Sequence, residues 1–482
     1  MKISRRNFLS GGTGLAAGVF APGLSGLLGK TDESASRPPT PPNLDPDATI
    51  LLKGGTILSM DDDVGDFESA DILIQGSKIA QIGPDLAHDG TTIDASDMIV
   101  MPGFVDTHRH MWQGAIRNIL PDGTLGDYME LITGKARSVF RPKDAYIGDL
   151  VSALGAIDAG VTTVLDWSHI GNSPEHTDAA IEGLKASGIR GVYAYGVGTP
   201  GERNRFPDDI RRIRNGFFHS EDAMLTLALA AGINAGQWKL ARDVGVRITV
   251  HVNGTGDLLP LADELGPDVT CIHCANLLDD EWQLLADSGT SVSIAAPIEM
   301  QMGHGTPPIL KAQSFGIKPS ISVDVETQMP GDFFTQMRSF FSLQRLQVQQ
   351  QGDPERDRPR VPMMSVRDVV ELATMQGARD NGLDKVTGSL TPGKKADIIL
   401  LRKNRINVTP VNNPYGAVVL GMDTGNVDTV FINGVIKKWK GTLVDVDFDR
   451  IRSEVVASRD HIVSNAGWPK QSDGSFIPSA GN

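Results

Sequence analysis

Four of the ten histidines stand where strands could gather them round one ion. His108 and His110 lie two apart in Asp106-Thr107-His108-Arg109-His110, and the period-two geometry of a strand points both to the same side. His251 follows Thr249-Val250, His273 follows Cys271-Ile272, and Asp324 follows Ser322-Val323, each at the end of an apolar run. A lone strand histidine is usually a satisfied core residue. Four at strand ends, joined by an aspartate, have the donor types of an open transition-metal site. The only cysteines, Cys271 and Cys274, are three apart on one of these strands and so face opposite sides. They read as small core thiols, and a disulfide framework is excluded.

The elements that must carry these residues alternate strand and helix, the signature of a parallel sheet with crossover helices. Eight strands are expected, at Ile99–Val105, Val161–Trp167, Arg190–Tyr195, Leu225–Ala230, Arg247–Val252, Val269–Cys274, Ser291–Ala296 and Lys318–Asp324. Helices are expected at Lys143–Ala159, Glu175–Ala186, Ala235–Val244, Asp279–Ser288 and Val366–Arg379. Eight such units over roughly 285 residues predict an α/β fold, a (β/α)8 TIM barrel over 101–385, with its site at the carboxyl ends of the strands. Short Gly-punctuated strands at 48–100 and again at 386–445 predict a small β-sandwich domain built from N- and C-terminal segments. The remaining tail, 446–482, carries a short helical stretch near Arg450–Val463.

Composition narrows the partners. With 45 basic and 59 acidic residues in 482, the net charge of −14 opposes phosphate-backbone binding, so no nucleic acid is expected. Residues 1–30 open with Ser4-Arg5-Arg6-Asn7-Phe8-Leu9 and continue as a Gly- and Ala-rich run too weakly apolar to anchor in a bilayer. This resembles a twin-arginine export signal, which implies the twin-arginine export machinery as a partner, a periplasmic or secreted location, and no stable membrane anchor. Residues 31–47, with Arg37-Pro38-Pro39-Thr40-Pro41-Pro42, read as an extended linker. The charged run from Glu202 to Arg214 reads as a solvated loop, with a lid presenting an arginine to an anionic substrate as the other reading.

The stretches Met101-Pro102-Gly103-Phe104-Val105-Asp106-Thr107-His108-Arg109-His110 and Gly388-Ser389-Leu390-Thr391-Pro392-Gly393-Lys394-Lys395-Ala396-Asp397 resemble the amidohydrolase superfamily. Within it, the likeness is to the branch of cytosine and guanine deaminases and triazine chlorohydrolases, and it covers about residues 48–445. The resemblance implies one divalent transition metal ion, zinc or iron, held by His108, His110, His251 and Asp324. It also implies His273 beside the ion, a metal-activated water attacking an sp2 carbon of a small-molecule substrate, and Asp324 taking the proton. Gln113 and Arg117 stand where substrate is often oriented in this family, Asn276, where the family often has a second histidine, is nominated with them as substrate-binding, and homo-oligomers are common in the family.

One departure is informative. The deaminase branch carries a proton-shuttling glutamate three residues after the strand-five histidine, and this chain has Gly254 there. Glu326, two past Asp324, is nominated as the substitute acid, with Asp257, Glu299, His304 and His169 behind it. The expected activity is hydrolysis of a cyclic or amidine-like molecule at a non-peptide carbon–nitrogen bond. A lyase, isomerase or cyclase that uses the ion only as a Lewis acid is the alternative, because it would need no shuttle.

Overall fold

The computed structural model describes residues 40–42, 49–218, 220, 223–351, 361–472, 474 and 476. The export-signal reading of 1–30 and most of the 31–47 linker lie outside the described residues. Eight parallel strands follow one another round a barrel: β1 (Phe104–Arg109), β2 (Val161–Ser168), β3 (Arg190–Tyr195), β4 (Leu225–Ala231), β5 (Arg247–Val252), β6 (Val269–His273), β7 (Ser291–Ile294) and β8 (Ser320–Ile321). A bridge between Arg109 and Asp324 brings β1 and the end of β8 together. Helices Pro142–Asp158, Pro174–Ser187, Ala235–Val244 and Asp279–Ser288 fall within a residue or two of expectation. Asn234 caps the third of these by accepting the Gln237 N–H, and Gly188, Gly245 and Gly289 end three of them in left-handed turns.

The flanking domain is a nine-stranded sheet in which Ile398–Arg402 pairs antiparallel with Met98–Pro102. Early and late segments are thus neighbours in one hydrogen-bonded path. Its core is separate from that of the barrel and is built on Leu52, Ile72, Ile74, Val100, Ile398 and Phe431. Among the described residues no helix is long and apolar enough to cross a membrane.

Two boundaries depart from the sequence reading. The expected strand Ile99–Val105 is divided at Gly103: the residues before it belong to the flanking sheet and those after it to β1. Any Cβ at Gly103 would lie 2.1 Å from the Thr162 side chain, so the chain crosses between sheets where only glycine fits. The expected strand Lys318–Asp324 keeps only Ser320–Ile321 in regular pairing, because the backbone turns left-handed at Asp324, φ 70°.

Candidate active site and metal centre

Each proposed donor arrives at the carboxyl end of its strand. His108 comes from β1, His110 follows it, His251 comes from β5, and Asp324 follows β8. His108 Nε2 lies 3.2 Å from Asp324 Oδ1 and 3.2 Å from His251 Nε2, and His110 Nε2 lies 3.3 Å from the same Asp324 oxygen. Donors sharing one tetrahedral zinc at about 2.1 Å stand about 3.4 Å apart, so each of these three spacings suits a shared ion, while the donor atoms group within 4.8 Å as His108/His110/Asp324 and as His108/His251/His273. His110 Nδ1–H donates to the Trp167 carbonyl at 2.7 Å, which fixes the tautomer and turns Nε2 inward. Burial keeps His108 neutral, its pKa down at about 3, and holds His251 well below the usual imidazole range. Burial would raise the Asp324 carboxyl, yet the imidazoles of His108, His110 and His273 packed against it hold it well below the carboxylate range. Neutral imidazoles and an ionised carboxylate are the protonation states that bind a cation.

His273 stands on the opposite side, its Nε2 3.7 Å from Asp324 Oδ2 and its Nδ1 on Glu299 at 3.0 Å. Burial opposes protonation of this imidazole, but the Glu299 bond and the Asp324 charge prevail and raise its pKa. Glu299 also accepts the Ala295 N–H, and its other oxygen, Oε2, is buried without a partner among the described residues. The backbone at both His273 and Asp324 is left-handed, φ 69° and 70°. Such non-glycine conformations cost on the order of 1–3 kcal/mol each and persist where the surrounding structure forces them.

The other nominated residues divide by what already engages them. Glu326 is buried against Arg109 Nη1 at 3.5 Å and Arg117 Nη2 at 3.1 Å, and takes the Ser152 hydroxyl at 2.5 Å. Arg117 also donates to the Val151 carbonyl. Asn276 spends its amide N–H groups on the carbonyls of Asn253 and His304, tying the loop after β5 to the loop after β7. Gln113 donates to the Tyr128 hydroxyl at 2.6 Å, leaving its Oε1 buried and without a partner among the described residues. His304 is 7 % exposed, and neither ring nitrogen has a partner among the described residues. Burial, then the charge of His273, lowers its pKa to about 4.

Gly254 has a spatial explanation. The Asp257 carboxylate accepts its N–H at 2.8 Å, and a Cβ at Gly254 would lie 2.4 Å from a carboxylate oxygen of Asp257. One acidic group occupies the volume into which a side chain at 254 would begin.

Sequence reading missed two further groups. Asp106 and Arg109 form a fully buried pair, Nε to Oδ2 2.7 Å, in which Asp106 also accepts the Val323 N–H and Arg109 donates to the Gly331 carbonyl. Both lie on β1, and their spacing of three, which suits a helix rather than a strand, gave no sign of the contact. Tyr128 and Arg137, from the long segment after β1, line the same end of the barrel beside His169, and no periodicity marks them.

The amidohydrolase family model matches residues 99–437. A 5-methylthioadenosine/S-adenosylhomocysteine deaminase of Symbiobacterium thermophilum is 26% identical, covering 80% of this chain and 93% of its own length. A 5'-deoxyadenosine deaminase of Methanosarcina mazei is 25% identical over 86% of this chain and 99% of its own. Among solved structures, an adenosine deaminase from Xanthomonas campestris with bound zinc superposes with a TM-score of 0.74 at 19% identity, covering 86% of this chain and 98% of its own. The atrazine chlorohydrolase from Arthrobacter aurescens complexed with zinc gives 0.74 at 24% identity, covering 85% and 100%. A barrel and flanking sheet of this order, with the family model spanning most of the chain, place the protein in the amidohydrolase family, as an amidohydrolase-type enzyme of the class acting on carbon–nitrogen bonds other than peptide bonds.

Proposed function

We propose that the protein hydrolyses a small cyclic or amidine-like substrate at an sp2 carbon bearing nitrogen. The observation that carries this is the convergence of four imidazoles and one carboxylate at the carboxyl ends of the barrel strands, in two clusters sharing His108, His108/His251/His273 and His108/His110/Asp324, with the donor atoms of each cluster within 4.8 Å of one another. The same kind of chemistry is carried by the deaminase names of its relatives.

His108, His110, His251 and Asp324 would hold one divalent ion, for which zinc suits three nitrogens and a carboxylate and iron is the other candidate. Such an ion supplies Lewis acidity and brings the pKa of a bound water down to about 7. The chain supplies the rest. Asp324 Oδ2, which no imidazole approaches closer than His273 Nε2 at 3.7 Å among the described contacts, would take the proton of an attacking water. His273, held through Nδ1 by Glu299, presents Nε2 toward the same oxygen and can pass a proton on to a departing group. Asp257, seated on Gly254, supplies the carboxylate nearest the position of the missing shuttle. Glu326, neutralised by two arginines, is left to hold the loop after β8 in place.

The test is ammonia release by metal-loaded protein across amino-purines, amino-pyrimidines, amino-triazines and cyclic amidines, with a chelated control and solvent water labelled with heavy oxygen. Metal-dependent release with label in the product is expected. A metal-loaded protein that transforms a substrate without taking up label would instead be a lyase or isomerase. Export by the twin-arginine route is proposed from Arg5-Arg6, and a tagged chain that reaches the periplasm equally well with both arginines changed to lysine would refute it.

A further inference from the structure

Arginines round the barrel mouth are mostly neutralised by the chain itself. Arg109 and Arg117 share Asp106 and Glu326, while in the charged insertion Arg203 pairs with Glu175 and Arg212 with Asp178 and Asp209. Arg205 and Arg211 of that insertion are exposed to solvent. Arg137, in the turn Arg137–Val139, is in a different position. Among the described residues no carboxylate pairs with it, its Nε is buried without a partner, and its Nη1 reaches only the carbonyls of His169 and Val197, both at the outer limit of 3.5 Å. Burial lowers its pKa, and the one opposing influence is the Tyr128 phenol. Arg137 is half-buried, and a guanidinium partly withdrawn from water without a counter-charge is favoured by a ligand that supplies one.

What lies beside it is also donor-rich. The Trp112 indole donates to His169 Nδ1 at 3.0 Å, so the neutral ring carries its proton on Nε2, which faces the Tyr128 hydroxyl at 3.4 Å. Gln113 donates to the same hydroxyl. The phenol oxygen thus receives two N–H groups and keeps its own proton to give. The His169 ring lies over His110, with centroids 4.1 Å apart, so this wall adjoins the proposed metal centre. A guanidinium without a carboxylate partner and a phenol proton on the same wall match an oxyanion, and a planar fork matches a carboxylate best.

We propose that Arg137 and Tyr128 seat a carboxylate of the substrate, so that the molecule turned over is a nitrogen heterocycle or amidine carrying a carboxylate apart from its reacting carbon. The proposal rests on the hydrolytic reading for what happens at that carbon, but not for the binding itself. The test is calorimetric titration of the full-length, zinc-loaded protein with matched pairs: 2-aminopyrimidine-5-carboxylate against its carboxamide, orotate against uracil, and nicotinate against nicotinamide. At least one acid is expected to bind tenfold or more tighter than its neutral partner, with the preference lost in Arg137→Met and partly regained in Arg137→Lys. Equal binding within every pair overturns the proposal. So does a preference that survives Arg137→Met, since the ion alone would then account for it. Product release is scored separately in the same samples. Arg137-dependent binding without turnover removes the hydrolytic reading and leaves the carboxylate seat, whereas turnover indifferent to the carboxylate does the reverse.

Discussion

The two sides of the barrel mouth handle charge in opposite ways. At the seam between β1 and β8, Asp106, Arg109, Arg117 and Glu326 are buried or half-buried and neutralise one another. In the loops after β1 and β7, Arg137 Nε, Gln113 Oε1, Glu299 Oε2 and both nitrogens of His304 are buried with no hydrogen-bond partner among the described residues, whereas on the seam only Arg109 Nη1 among these four side chains lacks one, and it faces Glu326 at 3.5 Å. Folding alone rarely tolerates such atoms, each costing about 1–3 kcal/mol, so the paired side reads as architecture and the unpaired side as a surface shaped for a ligand.

Substitutions can break or sharpen that contrast. The largest effect is expected where the two sides meet: Asp324→Ala should lower kcat/KM by at least ~10⁴-fold, the upper end for loss of a general base, and abolish zinc retention measured by elemental analysis. At the seam, Arg109→Met strands the Asp106 carboxylate, and urea denaturation should show a loss of about 3–5 kcal/mol. A loss below 1 kcal/mol would mean the seam is not what closes the barrel. Gly254→Glu should cost about 1–3 kcal/mol through overlap with Asp257, and Asp257→Gly in the same chain should recover most of it. The smallest change in stability belongs to the unpaired side. There His304→Leu, which removes two unsatisfied nitrogens, should lie within about 1 kcal/mol of the parent while turnover of the first identified substrate falls. A variant that melts far earlier would move His304 to the architectural side.

The eight units of the barrel were legible because crossover helices and buried strands differ in period, and the strand-end histidines because β1 keeps a strict alternation through His108 and His110. The same rule misled at Glu326. Two residues past Asp324 would share its side on a continuous strand, but the left-handed backbone at Asp324 ends the alternation and turns Glu326 to the seam. Left-handed residues at His273 and Cys274 likewise carry Asn276 out of line and onto two backbone carbonyls. Arg137 was illegible for another reason. Its place is set by a long segment crossing the mouth, and a one-dimensional pattern holds no record of which arginine ends without an acid.

The contact between Gly254 and Asp257 also bears on how this site can change over generations. A single substitution that restored a side chain at 254 would meet an occupied volume before it could carry any proton. Asp257 would have to swing aside or be replaced, so the two positions are coupled, and what can stand at 254 depends on what stands at 257.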